Sequence, residues 1–422
     1  MAPVQVGYAP TLEKFLKSLK GQSLDASVEA LVYLLKRKQV KGAEPVANAT
    51  ARILLQVVAK SKWSDVDQLL ANVQKTGAKL AQAAPRELVI GNIVRRVMGL
   101  IRDEATEDRT GNEFGSESVS DIQSLPGTHS PVPRKVVGTN SLRPLVSSGS
   151  FHVSKSLFNL LSAADPAEST TSGGSPTAPA FQSQSSSVHA LRSEVIDGIE
   201  EIMDEVSQAD DQIASFAEIQ IHPDDYVLVH QPSPTVERFL VRAAAKRHFT
   251  VLIASSTPHL KDSSDVPYGS LRKKLGAAGV KAIHVLSSGV AAYMSKVNKV
   301  ILGASAVLAD GAIVSDAGTH LIARAAHEFS KPVIVLSGVY KLCPEAVYDP
   351  ESAVELGDPS RGISFEDGVL VEGVEVEYAV TEFVPPGLID TYITNLGPHT
   401  RDHLDDIMAD HYKQEDVDLP LQ

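Results

Sequence analysis

Two hydroxyls and two carboxylates, Ser305, Asp310, Ser315 and Asp316, lie together in the stretch KVILGASAVLADGAIVSDAGT, residues 299–319. Such a set could supply an acid/base pair if the fold turned it into one cavity. A turn at Asp310-Gly311 and a helix start near Thr319 account for both carboxylates equally well. The single cysteine, Cys343, follows a strand end and has no activating base beside it in sequence. It reads as a small buried residue rather than a nucleophile, and it rules out an intrachain disulfide framework. His222, His230, His248, His259, His284, His320 and His327 show no metal-ligand spacing. His320 and His327 could share a helix face, but no third ligand stands in a recognisable position.

The elements that would position these groups follow from periodicity. Short apolar runs at 226–230, 249–254, 282–286, 300–303 and 333–337 read as buried strands. Helical patterns at 236–247, 270–278, 290–297 and 319–329 separate them, which predicts a parallel sheet covered on both faces. A further strand at 374–380 and an acidic closing helix at 402–412 complete this α/β part. The first strand runs into His230-Gln231-Pro232-Ser233-Pro234-Thr235, with two prolines and no glycine. That excludes the G-x-G-x-x-G dinucleotide fingerprint, and no P-loop motif occurs elsewhere. Ser233 and Thr235 read as helix caps.

Ahead of the sheet, residues 11–104 read as five helices in an antiparallel bundle. Thr11 caps the first, and Ser64 with Asp67 suggests a capping box for the fourth. The fifth, within PRELVIGNIVRRVMGLIRDE, carries Ile90, Ile93, Val94, Val97, Met98 and Ile101 on one face. Asn92, Arg95, Arg96, Gly99 and Asp103 fall on the other, read either as a solvated face or as a contact surface for carboxylates or phosphates. Gly91 and Gly99 would admit another backbone. Between the two parts, residues 105–187 are rich in Ser, Thr, Gly and Pro and predict a largely disordered insert. An apolar island at 151–161, with Phe151, Val153, Leu157 and Phe158, would dock on the body or on a partner. A long acidic helix at 188–221 then leads into the sheet.

With 43% apolar residues among 422 the chain can build a sizeable core. A formal charge of −13 argues against binding bare nucleic acid or anionic membrane. The N-terminal stretch lacks the apolar segment of a secretion signal, and no run approaches the ~20 apolar residues of a span. A cytosolic protein is expected.

Several longer stretches resemble a known family. GNIVRRVMGLIRDE (91–104), TVERFLVRAAAKRHFTVLIA (235–254), AAYMSKVNKVILGASAVLADGAIVSDAGTH (291–320) and VPPGLIDTYITNLG (384–397) are similar to the alpha/beta/delta regulatory subunits of translation initiation factor 2B. Their order is that of the beta branch. The resemblance implies an N-terminal helical domain (1–104), the low-complexity insert (105–187) and a Rossmann-like, mainly parallel sheet domain flanked by helices (188–422). It implies a non-catalytic subunit of the guanine nucleotide exchange complex for initiation factor 2. The implied partners are the alpha, gamma, delta and epsilon subunits and initiation factor 2, whose alpha-subunit phosphorylation the complex senses. Two copies in a symmetric hetero-oligomer are expected, with no cofactor and no metal. Asn92, Arg95, Arg96 and Asn395 are the implied partner contacts.

The same fold is shared with methylthioribose-1-phosphate and ribose-1,5-bisphosphate isomerases, which provide a comparison. Their T-H-C-N-x-G cysteine falls on Gln231, their G-A-D-R aspartate on Ser305, and the arginine of their E-[ST]-R-P pattern on Thr257. The N-K of their N-K-x-G-T pattern falls on Ser315-Asp316. Isomerisation needs an acid/base pair and an anion clamp. The resemblance therefore implies lost chemistry, the alternative being a sugar-phosphate isomerase with a relocated site.

Overall fold

The computed structural model describes residues 12–19, 21–114, 180–255, 268–345, 350–361 and 373–417. The 151–161 island, Thr257 and most of the 105–187 insert lie outside them. Met1–Gly111 and Ser185–Gln422 form one compact unit, and Asn112–Gln184 a second.

Five helices open the chain: α1 (Leu12–Ser18), α2 (Leu24–Lys36), α3 (Ala43–Lys60), α4 (Val66–Ala83) and α5 (Leu88–Phe114). The fourth begins one residue later than a Ser64–Asp67 box would place it. Asp65 caps it, its carboxylate accepting from the Val66 N–H at 2.8 Å, while Ser64 bonds Gln68. Helix α5 continues past 104, where Thr106 bonds back to the Arg102 carbonyl at 2.7 Å. The acidic helix α6 (Ala180–Ser215) likewise starts before 188, and α7 (Ala217–Gln220) follows it. Leu191, Val195, Ile199 and Val206 of α6 join the core of the first five helices.

The sheet that follows is built from β1 (Tyr226–His230), β2 (Thr250–Ser255), β3 (Lys281–Leu286), β4 (Lys299–Gly303), β7 (Val333–Leu336), β10 (Thr391–Thr394) and β11 (Gly397–His399). Their order is β11-β10-β7-β4-β1-β2-β3, parallel except for β11. Successive strand residues feed opposite cores. Leu228, Leu252, Val300 and Val335 pack to one side, and Val227, Val229, Ile301 and Ile334 to the other. Burial on both faces is why these strands read as unbroken apolar runs. Helices α8 (Pro234–Ala244), α9 (Gly269–Ala277), α10 (Val290–Met294) and α11 (Thr319–Glu328) make the crossovers.

A smaller sheet, β8-β5-β6-β9, holds β5 (Ala306–Leu308), β6 (Ile313–Asp316), β8 (Leu342–Cys343) and β9 (Thr381–Val384). Asp310-Gly311 makes the β5–β6 hairpin turn, as its sequence predicts, with Asp310 accepting from the Ala312 N–H at 2.9 Å. The strand expected at 374–380 is corrected. Only Ala379 there forms a bridge, to Leu356, and pairing starts at Thr381. Val374 is exposed, so the Val/Glu alternation has no core to face. The chain closes with α12 (Leu404–His411) and α13 (Gln414–Val417).

The polar side of α5 is also corrected, since Asn92, Arg95 and Gly99 on it are buried and only Asp103 of the five stays exposed. Asn92 and Arg95 are 0% and 1% exposed, because α5 is surrounded. The Asn92 amide donates to the Tyr340 carbonyl at 3.2 Å. Arg95 donates through Nε to the Asp416 carbonyl at 3.1 Å and pairs with Glu345. Arg96 pairs with Glu205 of α6. Arg102 reaches both carboxylate oxygens of Asp416, which is fully buried. Close helix approach occurs at other glycines than Gly99: a Cβ on Gly77 would stand 2.6 Å from Val94, and one on Gly198 2.7 Å from Leu100.

Burying a guanidinium or carboxylate costs several kcal/mol unless it is well paired. Reversing charge at Arg95 and Arg96 therefore unfolds this unit rather than selectively weakening a partner contact. Arg102→Ala leaves the Asp416 carboxylate buried alone and costs about 3 kcal/mol in urea unfolding. Lys413→Ala, which removes only the exposed pair with Asp103, changes stability by less than ~1 kcal/mol.

Candidate functional site

Strand order reverses between β1 and β4, the point at which open α/β sheets leave a crevice beyond their carboxyl ends. Here that crevice is a cleft of about 910 Å³ roofed by helices of the N-terminal layer. Gln231, Ser233 and Thr235 enter it after β1, Ser305 after β4, and Ser315 with Asp316 from β6. Gly303 permits the approach of the first two loops: a Cβ there would meet the Ser233 hydroxyl at 2.8 Å. Glu44 enters from α3, Asp210 from α6, and Tyr340 with Lys341 from the loop after β7.

Gln231 adopts a left-handed backbone (φ 37°), which turns the chain off the end of β1. Its side-chain amide donates to the Ala317 carbonyl at 3.3 Å, and His230 Nε2 lies 3.0 Å from the same oxygen. Ser233 caps α8, accepting from Val236. Thr235 does not cap; its hydroxyl donates to the Asp210 carboxylate at 2.7 Å. Ser315 donates to the Gly303 carbonyl at 2.7 Å, which joins β6 to the end of β4.

Three of the four positions that the sequence resemblance sets against isomerase chemistry, Gln231, Ser305 and Asp316, share one cleft. Asp310 stays in its turn. Asn395 lies elsewhere, its Oδ1 accepting from the Val339 N–H at 2.8 Å. Sequence reading missed Lys341, Asp210, Tyr340 and Glu44 as lining groups. A lysine inside the otherwise apolar run Val339–Cys343 was the available signal. Cys343 is buried, and that burial raises its thiol pKa to about 12, which makes it a poor nucleophile. Among the described residues no three His, Cys, Asp or Glu gather as a metal set.

Burial governs the charges in the cleft. It raises the Asp316 carboxyl, against the pull of His230 and Lys341. It raises Glu44 too, helped by Asp210. Burial lowers the Lys341 ammonium, although Asp210, Glu44 and Asp316 oppose it. Tyr268 is pushed up to about 12 by burial and by Asp316. The fold accordingly disfavours the ionised form of Asp316. That cost is absent below the ordinary aspartate value of 3.8, where both folded and unfolded chains are protonated, and grows as pH rises toward the folded value. Asp316→Asn is expected to raise the melting temperature at pH 7, with the advantage vanishing near pH 3. An unchanged or lower melting temperature at pH 7 contradicts it.

Comparison with known proteins places this geometry in a lineage. The model of the Initiation factor 2 subunit family matches residues 39–400. Translation initiation factor eIF2B subunit beta of Schizosaccharomyces pombe is 34% identical over 398 residues, covering 93% of this chain and 97% of that protein. The crystal structure of eIF2B beta from Chaetomium thermophilum is similar with a TM-score of 0.66 and 47% identity, covering 97% of each chain. A chain of the tetrameric eIF2B-beta2-delta2 complex from C. thermophilum is similar with a TM-score of 0.67 and 48% identity, over 96% of this chain and all of that one. With the family match spanning residues 39–400, most of its length, this chain belongs to the initiation factor 2 subunit family.

Proposed function

We propose that this chain is a beta-type, non-catalytic regulatory subunit of the guanine nucleotide exchange complex for translation initiation factor 2. It assembles with alpha and delta subunits, joins the gamma and epsilon subunits through that core, and helps sense phosphorylation of the alpha subunit of initiation factor 2. The observation that carries the reading is the 48% identity, over nearly the whole chain, to a subunit of a beta2-delta2 tetramer. That tetramer also favours two copies of this chain in a symmetric hetero-oligomer.

Two features of the molecule support the reading. Gln231 and Ser305 stand in the cleft at the positions of a thiol and a carboxylate, and neither can replace them. Exposed apolar side chains also occur at Leu286 at the end of edge strand β3, at Tyr293 on α10 and at Leu321 on α11, two helices that pack together. Apolar groups left uncovered in this way suit an assembly surface. No described helix is long and apolar enough to cross a membrane, in keeping with work in the cytosol.

Affinity purification of the tagged full-length chain from cytosol tests the proposal. Alpha, gamma, delta and epsilon subunits and initiation factor 2 are expected to co-purify, and the eluate should not isomerise methylthioribose 1-phosphate. Recovery of the chain alone, turning over that sugar phosphate, overturns it.

A further inference from the structure

One reactive group in the cleft is used by nothing described so far. Lys341 is 6% exposed and still lines the cleft. Its amine donates to the Ala304 carbonyl at 3.1 Å and lies 5.6 Å from the centre of the Tyr340 ring. Asp210, Glu44 and Asp316 act on it electrostatically, but no described carboxylate pairs with it directly. Lys341 sits in a cavity large enough for a small ligand, among the hydroxyls of Ser233, Ser305 and Ser315.

We propose that Lys341 is a nucleophile that captures small hydroxylated aldehydes or ketones in this cleft as a reversible imine. The geometry suits a neutral amine. One N–H keeps the bond to the Ala304 carbonyl, and the lone pair remains free to attack. Burial lowers the ammonium's affinity for its proton, which supplies that neutral form.

The step balances with groups of the cleft itself. The amine lone pair attacks the carbonyl carbon, and the carbonyl oxygen takes a proton from the Asp316 carboxyl, which burial keeps readily protonated. Nitrogen then loses one proton to the Asp316 carboxylate, giving a neutral carbinolamine. A second protonation by Asp316 releases the oxygen as water and leaves a protonated imine, whose one N–H stays on the Ala304 carbonyl and whose charge the Asp316 carboxylate balances. Glu44, Asp210 and Tyr268 face the same space, and Tyr268, raised to about 12, stays a neutral hydrogen-bond donor. No oxidant or reductant is consumed, and hydrolysis reverses the capture.

The test uses the full-length chain with glycolaldehyde and sodium cyanoborohydride at pH 7.5, followed by peptide mass spectrometry. Reduction freezes each imine as a hydroxyethyl amine on the lysine that formed it. Lys341 is expected to label severalfold faster than the exposed Lys62 and Lys273, which lie outside the cleft. Asp316→Asn should slow Lys341 severalfold and leave the exposed lysines unchanged. Lys341→Arg should remove the fast site, and the wild-type labelling profile decides alone if that variant does not fold. Labelling of Lys341 no faster than the exposed lysines, or a rate indifferent to Asp316→Asn, overturns the proposal.

Discussion

A guanidinium without access to water sets the terms of this structure. Arg95, 1% exposed in the middle of α5, must be satisfied by protein groups, and those groups come from far along the chain. Its Nε bonds the carbonyl of Asp416 in the last helix, and its terminal nitrogen pairs with Glu345 beyond β7. Asn92, one turn earlier on α5, bonds the carbonyl of Tyr340 in the same segment. Leaving any of these buried groups unmatched would cost more than a typical surface contact returns. Helix α5 therefore fixes the strap from Gly338 to Glu345 against the sheet. Asn395 and Tyr412 hold that strap from the other side, through Val339 and the Leu342 carbonyl.

The cleft is a consequence of that strap. Tyr340 and Lys341 are presented to it because their backbone is clamped on both sides, and the helical layer that carries α5 also supplies Glu44 as roof. Catalytic centres often retain groups whose ionised forms the fold disfavours. Asp316, Glu44 and Lys341 have that character in a cleft that Gln231 and Ser305 also line. The scaffold thus holds an open cleft whose lining carboxyls and lysine have ionised forms that burial disfavours.

How far the sequence revealed this depends on which physical signal each residue carried. The strands of the parallel sheet were legible because both faces are buried, as Val300, Ile301 and Leu302 show. The pattern failed where alternation lacked a core to meet, at Val374 and its neighbours, and where Pro and Gly flank the short β10. Arg95 and Asn92 misled because helical spacing shows which residues share a face but not how many faces are covered. Gln231, Ser305 and Asp316 were brought together by resemblance and proved to share a cavity. Lys341 and Asp210 were out of reach, since 131 positions of chain separate them and only packing joins them.

The central claim is that α5 holds the strap, and through it the wall of the cleft. Hydrogen exchange of Asn92→Leu against the parent chain addresses it directly, since leucine keeps the volume and removes only the amide. The account predicts amides of Val339–Cys343 exchanging at least ~10-fold faster, with Val300–Leu302 of the central strand unchanged. Equal protection of the strap in both proteins, or a uniform loss across strap and sheet together, would contradict it.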